Sequence, residues 1–219
     1  DGTQKLTKIY YIDGNQNLIK ESTSTSTQID AEFNTTEYQD TTNGIIMAKL
    51  FDEYGNTNMI TTTIKIDNNP PESINDLEAT TGDHHFTILL SWTTPGDPPF
   101  SEIKSYIIKA STEPITEENF DQAYTVDCPG SIGGIAGTPE QCQYKSQFLM
   151  NQPPNTTWYH AIKSIDYSDH LSQISNIASA PTGLYDISVS NFQCKNLRTN
   201  DLCKNSQNTA GDEILITAT

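Results

Sequence analysis

The chain has 219 residues, with 12 Lys and Arg against 28 Asp and Glu, for a net charge of −16. That balance excludes binding to nucleic acid or to anionic membrane surfaces, because their phosphates demand Lys and Arg. Hydrophobic residues make up 34%, too few for one large core but enough for small β-sandwiches, where only alternate strand residues face inward.

The length suits two domains of about 100 residues. Thr, Asn, Ser and Ile recur and no long helical period is present, so the expected fold is all-β. No apolar run approaches the ~20 residues of a membrane span. The first residue is Asp1, not Met, which leads us to expect a processed product or an excised piece.

In chain order, Lys8 to Ile12 reads as a strand and Asp13-Gly14-Asn15 as a turn, with Asn17 to Glu21 returning as a second strand. Ser22 to Thr27 reads as a polar loop or edge strand, and Ile29 to Phe33 as a short strand. Ile45 to Phe51 and Asn58 to Asp67 are strands joined by Asp52-Glu53-Tyr54-Gly55-Asn56. In the second of these, Ile60, Thr62, Ile64 and Ile66 alternate with Thr61, Thr63 and Lys65, the period that separates the two faces of a strand. Asn68-Asn69-Pro70-Pro71 reads as a stiff linker. Asp67, Asn68 and Asn69 offer oxygen donors, but too few to hold calcium alone.

Further strands are expected at about Ile74–Thr80, Phe86–Trp92, Ile103–Ala110, Tyr124–Asp127, Lys145–Met150, Trp158–Asp166 and Ser175–Ala180. Pro114 to Phe120 suits one helical turn with Thr116 as its N-cap. Trp92 is expected between two sheets and Trp158 at a corner, with Tyr106 and Ile162 completing the core. His160 falls on the inward side of its strand, where a hydrogen-bonded core histidine is the expected role. Tyr185 to Phe192 and Glu213 to Thr219 read as two more strands.

Four cysteines, Cys128, Cys142, Cys194 and Cys203, show no CxxC spacing and allow three pairings. The local pairing, Cys128–Cys142 with Cys194–Cys203, is expected because each pair brackets a Gly-, Pro- or Asn-rich loop. Disulfides imply an oxidising, extracytoplasmic compartment. The glycines between Cys128 and Cys142 lack the GxxxxGK[ST] pattern of a phosphate loop. His84, His85, His160 and His170 form no HExxH motif, and GxSxG is absent. No catalytic, cofactor-binding or metal-ligating set emerges, so the chain is not expected to be an enzyme. Asn34-Thr35-Thr36 and Asn155-Thr156-Thr157 match the N-x-[ST] acceptor pattern, making Asn34 and Asn155 candidate glycosylation sites.

The middle of the chain carries a specific resemblance. Pro70-Pro71, Leu90-Ser91-Trp92-Thr93-Thr94-Pro95-Gly96-Asp97, Tyr106, Pro154-Asn155-Thr156-Thr157-Trp158 and Ser175-Asn176 resemble a fibronectin type III module of prokaryotic secreted proteins. The match covers roughly half the chain. It departs at Trp158, where the family has a Tyr whose hydroxyl ties a corner to the backbone; the indole N–H leaves a different corner bond open.

The flanks resemble parts of a bacterial Ig-like domain. Tyr11-Ile12-Asp13-Gly14, Leu50-Phe51-Asp52-Glu53-Tyr54-Gly55-Asn56 and Ile66-Asp67-Asn68-Asn69-Pro70-Pro71 look like its later strands, without the first two. Residues 183–219 look like its first two strands alone. The resemblances imply tandem Ig-like and fibronectin type III β-sandwiches, with boundaries at 1–69, 70–182 and 183–219.

Together the two flanks amount to one Ig-type sandwich of about 100 residues. Residues 183–219 of one copy are therefore expected to complete residues 1–69 of the next, head to tail. The implied role is structural, in an extracellular filament or long cell-surface protein. The alternative is a spacer or ligand-binding module of a secreted enzyme or adhesin, with a cell-surface or glycan ligand.

Overall fold

The computed structural model describes residues 5–12, 16–24, 28–84, 86–128, 133–145, 147–153, 155–182, 193–197, 199 and 214–217. The chain divides into two compact units, Asp1–Gly183 and Leu184–Thr219.

Unit one opens with strands β1 (Lys5–Ile12), β2 (Gln16–Ser24), β3 (Thr41–Phe51) and β4 (Thr57–Ile66). They form one antiparallel sheet in the order β2-β1-β3-β4. A register shift between Ile9 and Tyr10 marks a bulge against β2. Ser22 to Ser24 extend the edge strand β2, as a polar edge should.

The expected strand at Ile29 to Phe33 is absent; that stretch has no regular structure. Its apolar residues lie instead against one sheet face. Phe33 and Tyr38 close on the buried Tyr11, with ring centroids 5.0 and 4.6 Å away. Gly44 makes room for this cluster, since a Cβ there would stand 2.9 Å from the Tyr11 ring.

The rest of unit one is a two-sheet sandwich. Strands β5 (Glu78–Thr81), β6 (Thr87–Thr93) and β9 (Pro139–Lys145) form one sheet in the order β5-β6-β9. Strands β7 (Ser105–Ser111), β8 (Tyr124–Val126), β10 (Thr157–Ile165) and β11 (Ala178–Pro181) form the other, in the order β11-β10-β7-β8. All pairings are antiparallel. This all-β, three-plus-four arrangement fits the fibronectin type III resemblance.

Two expectations need correction. The strand placed at Lys145–Met150 lies one element earlier, at Pro139–Lys145, and Gln147–Met150 is a single helical turn. In β9 only Cys142 and Tyr144 point inward, paired with Leu90 and Ile88. The polar Gln141 and Gln143 between them hid that alternation. The short helix expected over Pro114–Phe120 is a 3-10 turn at Phe120–Gln122. Asn119 rather than Thr116 organises the approach, its Oδ1 accepting the Thr116 N–H at 2.8 Å.

The core joins both sheets through Ile88, Leu90, Trp92, Ile108, Trp158 and Ile162. Strand β10 is buried on both faces, because the loop before β8 lays Ile115 and Phe120 over Ala161. Glu117 fastens that loop, pairing with Lys163 and accepting the Ile174 N–H at 3.1 Å.

In unit two the described strands are β12 (Gln193–Asn196) and β13 (Ile214–Thr217), an antiparallel pair. The expected strand Tyr185–Phe192 lies outside the described residues.

Candidate functional site

Two regions stand out as candidates: an apolar sheet face and an acidic junction. On the N-terminal sheet, Gly44, Ile46, Ala48 and Leu50 of β3 pair with Ile64, Thr62, Ile60 and Asn58 of β4. Their shared parity puts Ile46, Ile60 and Ile64 on one face. Ile9 faces the same way, opposite Ala48. The segment carrying Ile29 and Phe33 leaves a crevice of about 420 Å³ against Ile9, Ile19, Ile46 and Ile64. Beyond it, Ile60 is 69% exposed.

The junction between this sheet and the sandwich gathers acids from distant segments. Asp67 follows β4, and its side chain is 10% exposed. Its Oδ2 accepts the Ser168 hydroxyl at 2.8 Å, while Oδ1 is buried without a hydrogen bond. Asp97, after β6, is 3% exposed. Asp166, after β10, is fully buried. Its Oδ1 accepts the N–H groups of Ser168 and His170 at 2.7 and 2.9 Å, and its Oδ2 lies 2.9 Å from His170 Nδ1.

Asp40 anchors the linker, taking the Asn68 N–H and the Asn69 side-chain amide, each at 2.7 Å. Asn68 in turn donates to the carbonyls of Thr35 and Tyr38, both at 3.0 Å. The linker is therefore tied by side chains as well as stiffened by prolines.

Burial pushes the Asp97 carboxyl up to about 6, helped by the negative charges of Asp67, Asp166 and Asp40. Burial also raises Asp67, against the pull of its Ser168 bond. Ser168 donates to Asp67, not to His170, so this is not a Ser-His-Asp relay. The arrangement concentrates negative charge in little water, beside a cavity of about 670 Å³ that Asp67, Asp97 and Phe100 help to line.

The residues singled out from sequence fall elsewhere. Trp92, Trp158 and Ile162 are core residues, at 3%, 0% and 0% exposure. Tyr106 stands edge-on to Trp92 at 5.2 Å, its hydroxyl donating to Thr94 at 2.9 Å. The corner bond left open for Trp158 is not made: its Nε1 has no partner among the described residues. His160 is buried with its Nε2 2.6 Å from the Tyr144 hydroxyl.

Cys128 and Cys142 form a disulfide, with Cα atoms 5.7 Å apart. The pairing expected of Cys194 with Cys203 lies outside the described residues. Asn34 is exposed and caps the 3-10 turn Thr35–Glu37, accepting the Thr36 N–H at 3.2 Å. Asn155 is exposed in a left-handed turn at φ 65°. Sequence reasoning missed Asp97, Asp166 and His170; a signal was the Asp166-x-Ser168-x-His170 spacing after a strand, which suits a side-chain-capped turn.

No family model matches the chain. Calcium-activated chloride channel regulator 4 of Homo sapiens is 35% identical over 114 residues, 51% of this chain and 12% of that protein. Calcium-activated chloride channel regulator 1 of Bos taurus is 33% identical over 113 residues, with the same shares. The chain thus spans about an eighth of the length of these relatives. A solved Fn3-like protein from Clostridium thermocellum is 16% identical, with a TM-score of 0.34, covering 54% of this chain and 99% of its own. Among the described residues no helix is long and apolar enough to cross a membrane, and the Cys128–Cys142 disulfide belongs with an oxidising compartment. The chain is built around a fibronectin type III-like β-sandwich.

Proposed function

We propose that this chain is a structural module of an extracellular filament or long surface protein, joined head to tail. Residues 183–219 of one copy complete the N-terminal sheet of the next. The observation that carries this reading is the apolar face of the sheet β2-β1-β3-β4. An antiparallel sheet of this kind buries one face against a second layer. Among the described residues the stretch from Ile29 to Tyr38 covers part of it, and Ile60 stays open.

The strands β12 and β13 supply what the face lacks. An isolated two-stranded hairpin is marginal in water and needs an apolar surface to pack on. Ile214-Leu215-Ile216 provides the apolar run. The contact is heterologous, so it propagates unless it closes into a ring. It takes either of two forms: donation between separate subunits, or succession along one continuous chain.

Two variants of the full chain test the reading. Ile60→Asp spoils the acceptor face and Ile216→Asp the donor strand. Sedimentation should show the wild type associating with concentration and each variant monomeric. A mixture of the two should stop at one-to-one dimers. A wild type that stays monomeric at its highest soluble concentration, with circular dichroism confirming the fold, would sink the idea.

A second reading is favoured by one observation. The relatives match over only 12% of their length, so modules of this type also sit inside much longer chains. In that reading the chain is a spacer or ligand-binding segment of a secreted enzyme or adhesin.

A further inference from the structure

Asp67, Asp97 and Asp166 meet at the junction from three segments separated by 30 to 99 positions in sequence. One of them is poorly satisfied and another is crowded by charge. Asp67 Oδ1 is buried with no hydrogen bond, on a side chain only 10% exposed. Asp97 is 3% exposed, and the charges of Asp67, Asp166 and Asp40 act on its carboxyl. A buried carboxylate without donors is costly unless it is protonated or paired with a cation. No Lys or Arg pairs with Asp67, Asp97 or Asp166 among the described residues.

We propose that this junction binds a hard divalent cation of the calcium class, held by the carboxylates of Asp67, Asp97 and Asp166, with His170 as a positioning residue. The spacing fits at the centre of the site. Donor atoms of Asp67, Asp166 and His170 lie within 4.8 Å of one another, and Asp97 lines the same cavity as Asp67. Two ligands of one calcium, each at 2.3–2.6 Å, stand no more than about 5 Å apart.

The chemistry fits as well. Calcium takes six to eight oxygens, and carboxylates serve it singly or as bidentate pairs. Asp166 keeps one lone pair of Oδ2 free beyond its three hydrogen bonds, since each carboxylate oxygen offers two sites. The adjoining cavity of about 670 Å³ gives water access to the remaining positions. His170 Nδ1 is engaged with Asp166 Oδ2 at 2.9 Å and stands 4.0 Å from Asp67 Oδ1. Its part is to orient a ligand rather than to be one. Asp40 is occupied by Asn68 and Asn69 and supports the site from outside.

Bound there, the cation joins the end of β4 to the loops after β6 and β10, replacing mutual repulsion with shared coordination. This inference is independent of strand complementation, because every ligand belongs to unit one.

The test uses the full chain after chelator treatment, titrated with calcium chloride by calorimetry and followed by thermal melting. Expected are one saturable calcium per chain and a rise in melting temperature. His170→Gln should weaken binding by about tenfold, and Asp97→Asn by more. Asp97→Asn keeps the shape and removes a repelling charge, so its calcium-free fold should hold. Asp121→Asn, an exposed acid elsewhere on the sandwich, should bind as the wild type does, separating a site from general attraction to a chain of net charge −16. The proposal is overturned by absence of saturable one-to-one uptake, or by Asp67→Asn and Asp97→Asn both binding as the wild type. Uptake of zinc but not calcium, lost in His170→Gln, overturns it too, because that pattern belongs to a nitrogen-ligated site.

Discussion

His160 occupies a slot on β10 with no solvent exposure, against the Tyr144 hydroxyl. Burial pulls its pKa from 6.5 down to about 4. The unfolded chain therefore binds a proton between those values that the folded chain refuses. Stability from this group is whole above 6.5 and falls as pH drops toward 4, by about 3 kcal/mol in all. Urea denaturation of wild type and His160→Phe over this range should differ in slope. The difference isolates the imidazole from carboxylates titrating in the same window; equal slopes would contradict the assignment.

Trp92, edge-on to Tyr106, should cost ~3–5 kcal/mol when cut to Ala. A loss in urea titrations below about 1 kcal/mol would place it outside the core. Ser175-Asn176 shows why a short motif was readable. Ser175 Oγ accepts the Ile162 N–H at 3.0 Å, and the Asn176 side chain exchanges two hydrogen bonds with the Leu77 backbone, at 2.9 and 2.8 Å. That amide pairs with strand-like backbone at the sandwich edge, a task few other side chains can perform.

At the scale of elements, the strands that read clearly carried unbroken alternation. Ile88, Leu90 and Trp92 of β6, and Trp158, His160 and Ile162 of β10, are all buried. Strand β9 was misplaced because its inward residues are a cysteine and a tyrosine among glutamines. Its register is held by pairing with β6 and by the disulfide from Cys142 to Cys128. The two half-cystines are 14 positions apart. Closing a loop of about that length stabilises by ~3 kcal/mol in the chain-entropy model. Reductant should lower the melting temperature of the wild type by more than that of Cys128→Ser with Cys142→Ser, in which only the expected Cys194–Cys203 bridge is left to cut. A wild type indifferent to reductant would show that the bridge contributes nothing to stability.

At the scale of the whole molecule, the head-to-tail reading separates into its two forms by size under denaturing conditions. Material from the native source running near 24.3 kDa supports donation between subunits, and very large material supports a continuous array. The variants Ile60→Asp and Ile216→Asp report on the contact in the former case. The acidic charge favours solubility and opposes random association, so a specific apolar contact is needed to join copies.

Strand periodicity, turn residues and the Trp92 and Trp158 segments specify an all-β chain and its central sandwich locally. Those signals are encoded over a few neighbouring residues, where the pleat alternates side chains and Gly, Pro and Asn set the bends. The acidic junction and the open sheet face are not local. Asp67, Asp97 and Asp166 look like ordinary turn acids until the sandwich closes and brings strand ends together. Ile29 and Phe33 read as a strand until the bulged sheet leaves them to cover its face. Burial, unmet hydrogen-bonding capacity and charge repulsion arise from contacts across long stretches of chain, and only the tertiary structure decides them.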